Sequence, residues 1–153
     1  MDKWEKYRIF IGDRADYYIE KFKKFEETGS VLSWNWAAFF FGLLWMLYRK
    51  MYLYSAIFII LVLFFIGALV YFNLYNNLVM FGIQLWLYVG FGAFGNYIYY
   101  TYVESKVSKI EKETEDPEKL KILLARKGGT DKISPVLFFL IIFILQILSY
   151  MPK

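Results

Sequence analysis

The residues best suited to binding chemistry lie in one aromatic and basic segment, from Ser33 to Lys50. Its candidate ligand-binding residues are Trp34, Asn35, Trp36, Trp45, Tyr48, Arg49 and Lys50. Indole rings favour the interface between membrane and water, and a guanidinium can hold a phosphate through two parallel hydrogen bonds. One interpretation of the segment is a notch that binds a lipid headgroup or a protein partner. The alternative is that these side chains only anchor the chain at the membrane interface and set its orientation.

A glycine-rich run from Gly90 to Gly95 has the G-x-G-x-x-G spacing of dinucleotide-binding loops. Such a loop holds a pyrophosphate only when it follows a β-strand and begins a helix, whereas this run lies inside a long uncharged stretch. Small residues in such a stretch let two helix backbones approach closely. We therefore expect Gly82, Gly90, Gly92 and Gly95 to pack against another helix, and we expect no dinucleotide cofactor.

Three amide side chains interrupt the apolar stretches of the chain: Gln84, Asn96 and Gln146. An amide is costly in hydrocarbon unless it is hydrogen-bonded, so these side chains are predicted to bond across helices and fix their packing. The same stretches contain no charged residue, and charged residues usually mark ion and proton pathways. This pattern argues against a proton-coupled transporter.

The residue types that the chain lacks exclude several classes of enzyme. The sequence contains no Cys and no His, which removes thiol nucleophiles, imidazole bases and the usual zinc ligands. Its densest acidic run, from Glu113 to Glu118, lies among lysines and is predicted to be a solvated surface. We therefore expect no catalytic residue, metal or cofactor. The net charge of +4 comes from basic residues interleaved with acidic ones, so no nucleic-acid binding is expected.

The composition indicates the elements that must position these residues. Hydrophobic residues make up 59 % of the 153 residues and aromatic residues 23 %, more than the ~45–50 % apolar content of soluble domains. The chain is predicted to be an all-α integral membrane protein with a membrane domain over 31–153. Its predicted transmembrane helices are 51–72, 78–103 and 133–151. Residues 31–50 hold a shorter apolar run than the ~20 residues of a full span, which predicts an interfacial or re-entrant helix.

Two charged regions flank these spans. Residues 1–30 predict an amphipathic helix that begins at a cap on Asp13, ends at Gly29, and rests its aromatic stripe on the membrane or on the protein's own core. Residues 104–132 form a second charged region, in which Asp116 is predicted to cap a helix that ends at Gly128.

The distribution of basic residues predicts the orientation of the chain. Most of the 18 Lys and Arg residues lie in 1–30 and 104–132, and cytoplasmic loops carry the excess of positive charge. Both regions should therefore be cytoplasmic, with an even number of crossings between them. This condition holds if 31–50 does not cross the membrane, and it places the N-terminus in the cytoplasm and the C-terminus outside.

The sequence from Ser33 to Tyr52, SWNWAAFFFGLLWMLYRKMY, resembles the signature of a family of small bacterial inner-membrane proteins catalogued as a domain of unknown function. The matching residues are Trp34, Asn35, Trp36, Ala38–Phe41, Trp45 and Tyr48–Tyr52. Weaker matches are Asn96-Tyr97 with Lys109-Ile110, and Gly128-Gly129-Thr130, where Asp131 stands in place of the expected Ser. The resemblance covers Ser30 to Thr130. It implies a bacterial inner-membrane location and no particular reaction, ligand or partner.

Three functions remain open on this evidence. The favoured one is a non-catalytic accessory subunit or scaffold that binds membrane lipid or a protein partner. The alternative is a homo-oligomeric channel or transporter, in which Gln84 or Asn96 would form a ring around the pore. A lipid-acting membrane enzyme is less favoured, because Asp, Glu, Lys or Tyr would have to do all of its chemistry.

Overall fold

The structure is a computed structural model that describes residues 1–150, and these residues form eight α-helices without a β-strand. The helices are α1 Lys3–Ile11, α2 Ala15–Thr28, α3 Trp36–Phe41, α4 Leu43–Tyr48, α5 Tyr52–Tyr71, α6 Asn77–Glu111, α7 Pro117–Lys127 and α8 Ile133–Tyr150. The predicted all-α class is confirmed. Met151, the last residue of the third predicted span, lies outside the described residues.

Three helices are long and apolar enough to cross a membrane, as the sequence predicts: α5, α6 and α8. Their most apolar windows have mean hydropathies of 2.8, 1.6 and 2.3. Few residues in the apolar stretches of these helices are buried within the chain, and α8 has no buried residue at all. The backbones of α5 and α6 do not come into close contact, and α8 packs only against α4 among the described helices. Helices α5 and α8 and the apolar first half of α6 therefore contribute little to the hydrophobic core of the chain.

The aromatic segment forms two helices of six residues each, α3 and α4. Gly42 separates them with a φ of +44°, a conformation that a residue with a Cβ rarely adopts. A Cβ there would also lie 3.4 Å from the ring of Phe91 on α6. Neither helix reaches the ~20 residues of a membrane span. The chain turns at Gly42, and α3 lies against α6 while α4 packs on α5 and α8.

The hydrophobic core lies in the charged part of the chain. We call this part the charged-helix cluster; it comprises α1, α2, α7 and the second half of α6, which pack on one another. Its largest buried side chains include Tyr7, Phe10, Ile11, Tyr18, Phe22, Phe25, Tyr99, Val103, Val107, Ile110 and Leu124. The aromatic stripe of α2 therefore packs on the protein's own core, which was one of the two predicted arrangements.

The helix ends match the sequence signals with two exceptions. Gly29 ends α2 with a φ of 68°, and Asp116 caps α7 through the N–H groups of Glu118 and Lys119, both as predicted. Asp13 does not cap α2, because Arg14 in the left-handed conformation precedes the helix. Helix α6 also continues past the predicted end of its apolar run to Glu111, since its apolar stripe extends into the charged-helix cluster.

Candidate functional site

The structure divides the seven predicted ligand-binding residues among four places. Trp34 and Trp36 lie on an exposed aromatic patch, with Phe40 and Phe41 nearby, all of them more than a third exposed. The rings of Trp34 and Trp36 meet edge to face, 5.3 Å apart. This patch contains no charged group and suits contact with an apolar surface more than recognition of an ion.

Asn35 lies in a buried amide network and not on a binding surface. Its Nδ2 donates to Oδ1 of Asn96, 2.8 Å away, and its Oδ1 accepts the N–H of Ala38 at the start of α3. The Nδ2 of Asn96 donates in turn to Tyr17 Oη and Ser33 Oγ, each 3.1 Å away. Because the polar atoms of this network bond to one another, the network fixes the aromatic segment to α6 and leaves little capacity for a ligand.

Two of the predicted packing glycines bring the aromatic segment close to α6. A Cβ on Gly92 would lie 2.8 Å from the indole of Trp34, and one on Gly95 would lie 2.7 Å from the Cβ of Ala38. The backbone of the segment also donates from Asn35 N–H to the Gly92 carbonyl, at 2.8 Å. Gly92, Gly95 and Asn96 therefore meet at one contact.

The other four predicted packing residues lie away from this contact. A Cβ on Gly82 or Gly90 would have no neighbour within 4 Å. Gln84 lines a cavity between α5 and α6 and donates only to Tyr88 on its own helix, and Gln146 is exposed on α8. The structure differs from the prediction here because α5 and α8 do not pack closely on α6 within the chain.

Arg49 is the one strongly buried cation among the described residues, with 2 % of its surface exposed. The carbon of its guanidinium lies 4.6 Å from the ring centre of Tyr18 and 5.4 Å from those of Tyr48 and Tyr99. Its Nη1 donates to the carbonyl of Asp13, 3.0 Å away. Within residues 1–150, Arg49 forms no ion pair and its Nε has no hydrogen-bond partner. The aromatic rings hold this cation in place without neutralising it.

A cavity of about 390 Å³ lies beside Arg49. Its polar lining residues are Asp13, Arg14, Tyr18, Trp45, Tyr48 and Arg49, and its apolar ones are Ala37, Phe41, Leu44 and Pro135. Tyr48 Oη donates to the Asp13 carboxylate at 3.3 Å, and Trp45 Nε1 donates to Tyr18 Oη at 3.3 Å. Two arginines and one aspartate give this lining a positive charge, so the cavity suits an anionic group.

Lys50 points away from this cavity. It adopts a left-handed φ of 58°, and its Nζ donates to the carbonyl of Gly128 at the end of α7. It lines a second cavity of about 360 Å³ with Lys106, Lys109 and Lys127. Arg49 and Lys50 are adjacent in sequence but belong to different sites, because the corner between α4 and α5 turns between them.

Sequence reasoning predicted Trp45 and Tyr48 beside Arg49 but missed three other polar residues of the cavity, Asp13, Arg14 and Tyr18. Tyr18 is visible only as part of an aromatic stripe, and Asp13 was assigned to a helix cap. Arg14 carries no sequence signal that distinguishes it from the other basic residues of the N-terminal region. These residues and Arg49 are more than 30 positions apart, so no local spacing indicates their contact.

Asp131 is a second residue whose importance the sequence does not reveal. Its side chain accepts hydrogen bonds from Ser134 Oγ, Tyr52 Oη and the N–H groups of Ile133 and Ser134. These donors, with the Ser134 hydroxyl first among them, hold the pKa of the Asp131 carboxyl well below its ordinary value. Its own N–H donates to the Tyr48 carbonyl at 2.8 Å. Asp131 therefore joins the start of α8 to α4 and α5.

A family model described as "Protein of unknown function (DUF2628)" matches residues 6–104. The match covers the aromatic segment, the Asn35–Asn96 network and every polar residue of the Arg49 cavity. Neither the curated proteins nor the solved structures include a match to this chain. Since the match extends over more than half of the 153 residues, the chain belongs to this family, which confirms the expected membership in a family of unknown function.

Proposed function

We propose that the chain is a non-catalytic protein of the bacterial inner membrane that acts as an accessory subunit or scaffold and binds a lipid or protein partner. The observation that carries this proposal is Arg49, a buried cation held by three aromatic rings beside a cavity, with no carboxylate of residues 1–150 paired to it. A buried charge is costly unless an opposite charge or hydrogen bonds compensate it. An anionic group of a partner is the compensation that this geometry favours.

The proposed orientation has the N-terminus in the cytoplasm and the C-terminus outside, with α3 and α4 interfacial or re-entrant. Its support is that the regions richest in basic residues pack together: α1 contacts both α6 and α7, and Lys50 bonds to Gly128. Only the uncharged turn between α5 and α6 lies at the other end of these two helices. The excess of positive charge would then face the cytoplasm on one side of the membrane.

The scaffold role is supported by the way the charged-helix cluster is tied together. Ion pairs join α1 to α2 through Lys3 and Glu26, and α1 to α6 through Lys6 and Glu111. A third pair joins Lys127 of α7 to Glu113. These pairs surround an aromatic core, so the cluster is suited to present a fixed surface to a partner.

The alternative, a homo-oligomer that forms a channel or transporter, rests on the membrane-length helices. The chain leaves α8 without a buried residue, and a largely apolar cavity of about 960 Å³ separates parts of α5 and α6. Further copies of the chain could cover these surfaces, and Gln84 would then lie near the contact between copies.

The test is purification of the tagged full-length protein from its native membrane in a mild detergent, followed by native mass determination and identification of co-purified proteins and lipids. A foreign protein at fixed stoichiometry, or a specifically retained lipid, supports the proposal. The Arg49→Met variant should lose that partner, whereas Arg126→Met, which changes an exposed arginine, should keep it. A homo-oligomer without any partner, equal in mass for all variants, would contradict the accessory role and favour the channel.

A further inference from the structure

We propose that the cavity beside Arg49 binds the phosphate of an anionic phospholipid, with Arg49 as the principal cation and Arg14 as the second. This inference rests on the proposed function, because it names the ligand of the same site. Four features of the cavity carry it: the hydrogen-bonding capacity of Arg49, the charge of the lining, its apolar residues and its place in the fold.

Arg49 retains hydrogen-bonding capacity that suits a phosphate. A guanidinium has five N–H donors. Here Nη1 donates to the Asp13 carbonyl, and Nε is enclosed by the protein without a partner in residues 1–150, so the remaining N–H groups of the two Nη atoms are the donors that a phosphate in the cavity would use. The faces of Tyr18, Tyr48 and Tyr99 stabilise the cation but accept no strong hydrogen bond. Two oxygens of a phosphate can accept from a guanidinium in parallel, so a phosphate supplies what the protein's own groups do not.

The charge of the lining favours a singly charged phosphate. Arg14 and Arg49 contribute two positive charges and Asp13 one negative charge. The Asp13 carboxylate already accepts a hydrogen bond from Tyr48, and its backbone carbonyl accepts from Arg49, so Asp13 is part of the wall. The balance of one positive charge matches the phosphodiester of a lipid such as phosphatidylglycerol. The choline group of phosphatidylcholine would bring a further cation toward Arg14.

The apolar part of the lining distinguishes a lipid from a free phosphate. Ala37, Phe41, Leu44 and Pro135 share the cavity with the arginines. Phe41 is 61 % exposed, and Pro135 lies in the first turn of α8, the apolar helix that no other part of the described chain buries. A cavity of about 390 Å³ is small among the ~300–1,000 Å³ of ligand sites. It suits a headgroup whose acyl chains extend along the apolar surface of α4 and α8.

The experiment measures lipid binding to the purified full-length protein in a neutral detergent by native mass spectrometry. Phosphatidylglycerol and phosphatidylcholine with identical acyl chains are titrated separately. We expect one phosphatidylglycerol per chain with an affinity at least ten-fold above that of phosphatidylcholine. Arg49→Met should abolish this preference, and Arg14→Met should reduce it several-fold. Arg126→Met, the matched control on the exposed face of α7, should leave it unchanged.

Arg14 makes the test independent of folding, because its side chain is exposed whereas Arg49 lies in the core. Equal affinity for the two lipids in the unsubstituted protein would overturn the inference. An unchanged preference for phosphatidylglycerol in Arg14→Met and in a folded Arg49→Met would also overturn it. Competition by millimolar inorganic phosphate would assign the site to free phosphate and also overturn it. A protein partner lost on Arg49→Met without any lipid preference would contradict this inference but not the proposed function.

Discussion

At the scale of single residues, Asn96 and Arg49 show two ways in which this chain buries a polar side chain. Asn96 is fully buried, and both its Nδ2 and its Oδ1 have partners. Arg49 is almost as buried, but its Nε lacks a partner within the described part of the chain and no carboxylate pairs with it. Satisfied polar networks specify packing, and unsatisfied buried groups require another explanation. We therefore assign Asn96 to the fold, and the unsatisfied Nε of Arg49 is a reason for the ligand proposed at that site.

Asn96→Ala should destabilise the protein. The substitution leaves Asn35 Nδ2 without its acceptor and removes the donor to Tyr17 and Ser33. Buried groups left unsatisfied cost about 1–3 kcal/mol each, so the thermal midpoint in detergent should fall by several degrees. Gln84→Ala is the control, because Gln84 bonds only to Tyr88 on its own helix. Equal midpoints for the two variants would show that the network does not hold the aromatic segment.

Asp131 should make stability depend on pH in the acidic range. Hydrogen bonds from Ser134 and Tyr52 lower the pKa of Asp131 in the folded state below its ordinary value near 3.8. The folded state therefore favours the ionised carboxylate, and this contribution is present above about pH 4 and is lost as pH falls below that value. Asp131→Asn should lower the thermal midpoint at pH 7, and the difference from the unsubstituted protein should shrink toward pH 3.

Glu115→Gln serves as the control for Asp131→Asn, because Glu115 is exposed. Its thermal midpoint should follow that of the unsubstituted protein from pH 7 to pH 3. A difference between Asp131→Asn and the unsubstituted protein that stays constant across this range would show that ionisation of Asp131 does not contribute.

At the scale of elements, the sequence predicts the extent of a helix best where local composition alone determines it. The apolar runs of α5 and α8 and the caps of α7 follow from local composition. The end of α6 does not, because Val103, Val107 and Ile110 continue its apolar stripe among charged residues and their burial depends on α1 and α2. The cap on Asp13 fails for a similar reason: its side chain bonds to Tyr48, 35 positions away. Signals that depend on tertiary contacts override local ones at these points.

The contact between α3 and α6 allows a matched comparison of two glycines on one helix. Gly95→Ala would place a Cβ 2.7 Å from that of Ala38, whereas a Cβ on Gly90 has no neighbour within 4 Å. Overpacking costs about 1–3 kcal/mol, while replacing an uncrowded helical glycine by alanine gains up to about 1 kcal/mol. Gly95→Ala should therefore lower the thermal midpoint in detergent, and Gly90→Ala should leave it unchanged or raise it.

The opposite result would locate the contact differently. If Gly90→Ala were the destabilising variant, Gly90 would pack against another chain or another helix, as the glycine pattern alone predicts. If Gly95→Ala had no effect, the aromatic segment would not lie against α6 as closely as the backbone bond from Asn35 to Gly92 indicates.

At the scale of the whole molecule, the hydrophobic core is separate from two of the three apolar helices, α5 and α8. The core lies in the charged-helix cluster, and α5 and α8 leave most of their apolar side chains exposed. The composition alone indicates that the chain has more apolar residues than a soluble domain, but it does not indicate that the core lies apart from α5 and α8. Likewise, Arg49 stands out in the sequence, yet its cavity combines residues from α2, α3, α4 and α8 and from the loop before α2. Trp45, Tyr48 and Arg49 of the candidate site were therefore predictable from the sequence, whereas the part of the lining that Asp13, Arg14 and Tyr18 contribute was not.

The proposed orientation makes the turn between α5 and α6 external and the charged-helix cluster cytoplasmic. The chain contains no Cys, so single cysteines can report the side of the membrane on which each residue lies. Tyr75→Cys changes an exposed residue of the turn and leaves the Asn76 cap of α6 intact. Lys109→Cys and Glu27→Cys change exposed residues of α6 and α2.

In intact cells, a membrane-impermeant maleimide should label only Tyr75→Cys, and all three variants should react after the membrane is permeabilised. Labelling of Lys109→Cys in intact cells would overturn the orientation, because its helix would then end outside. Labelling of Glu27→Cys without Lys109→Cys would place α2 and the end of α6 on opposite sides, which their packing in one core does not allow.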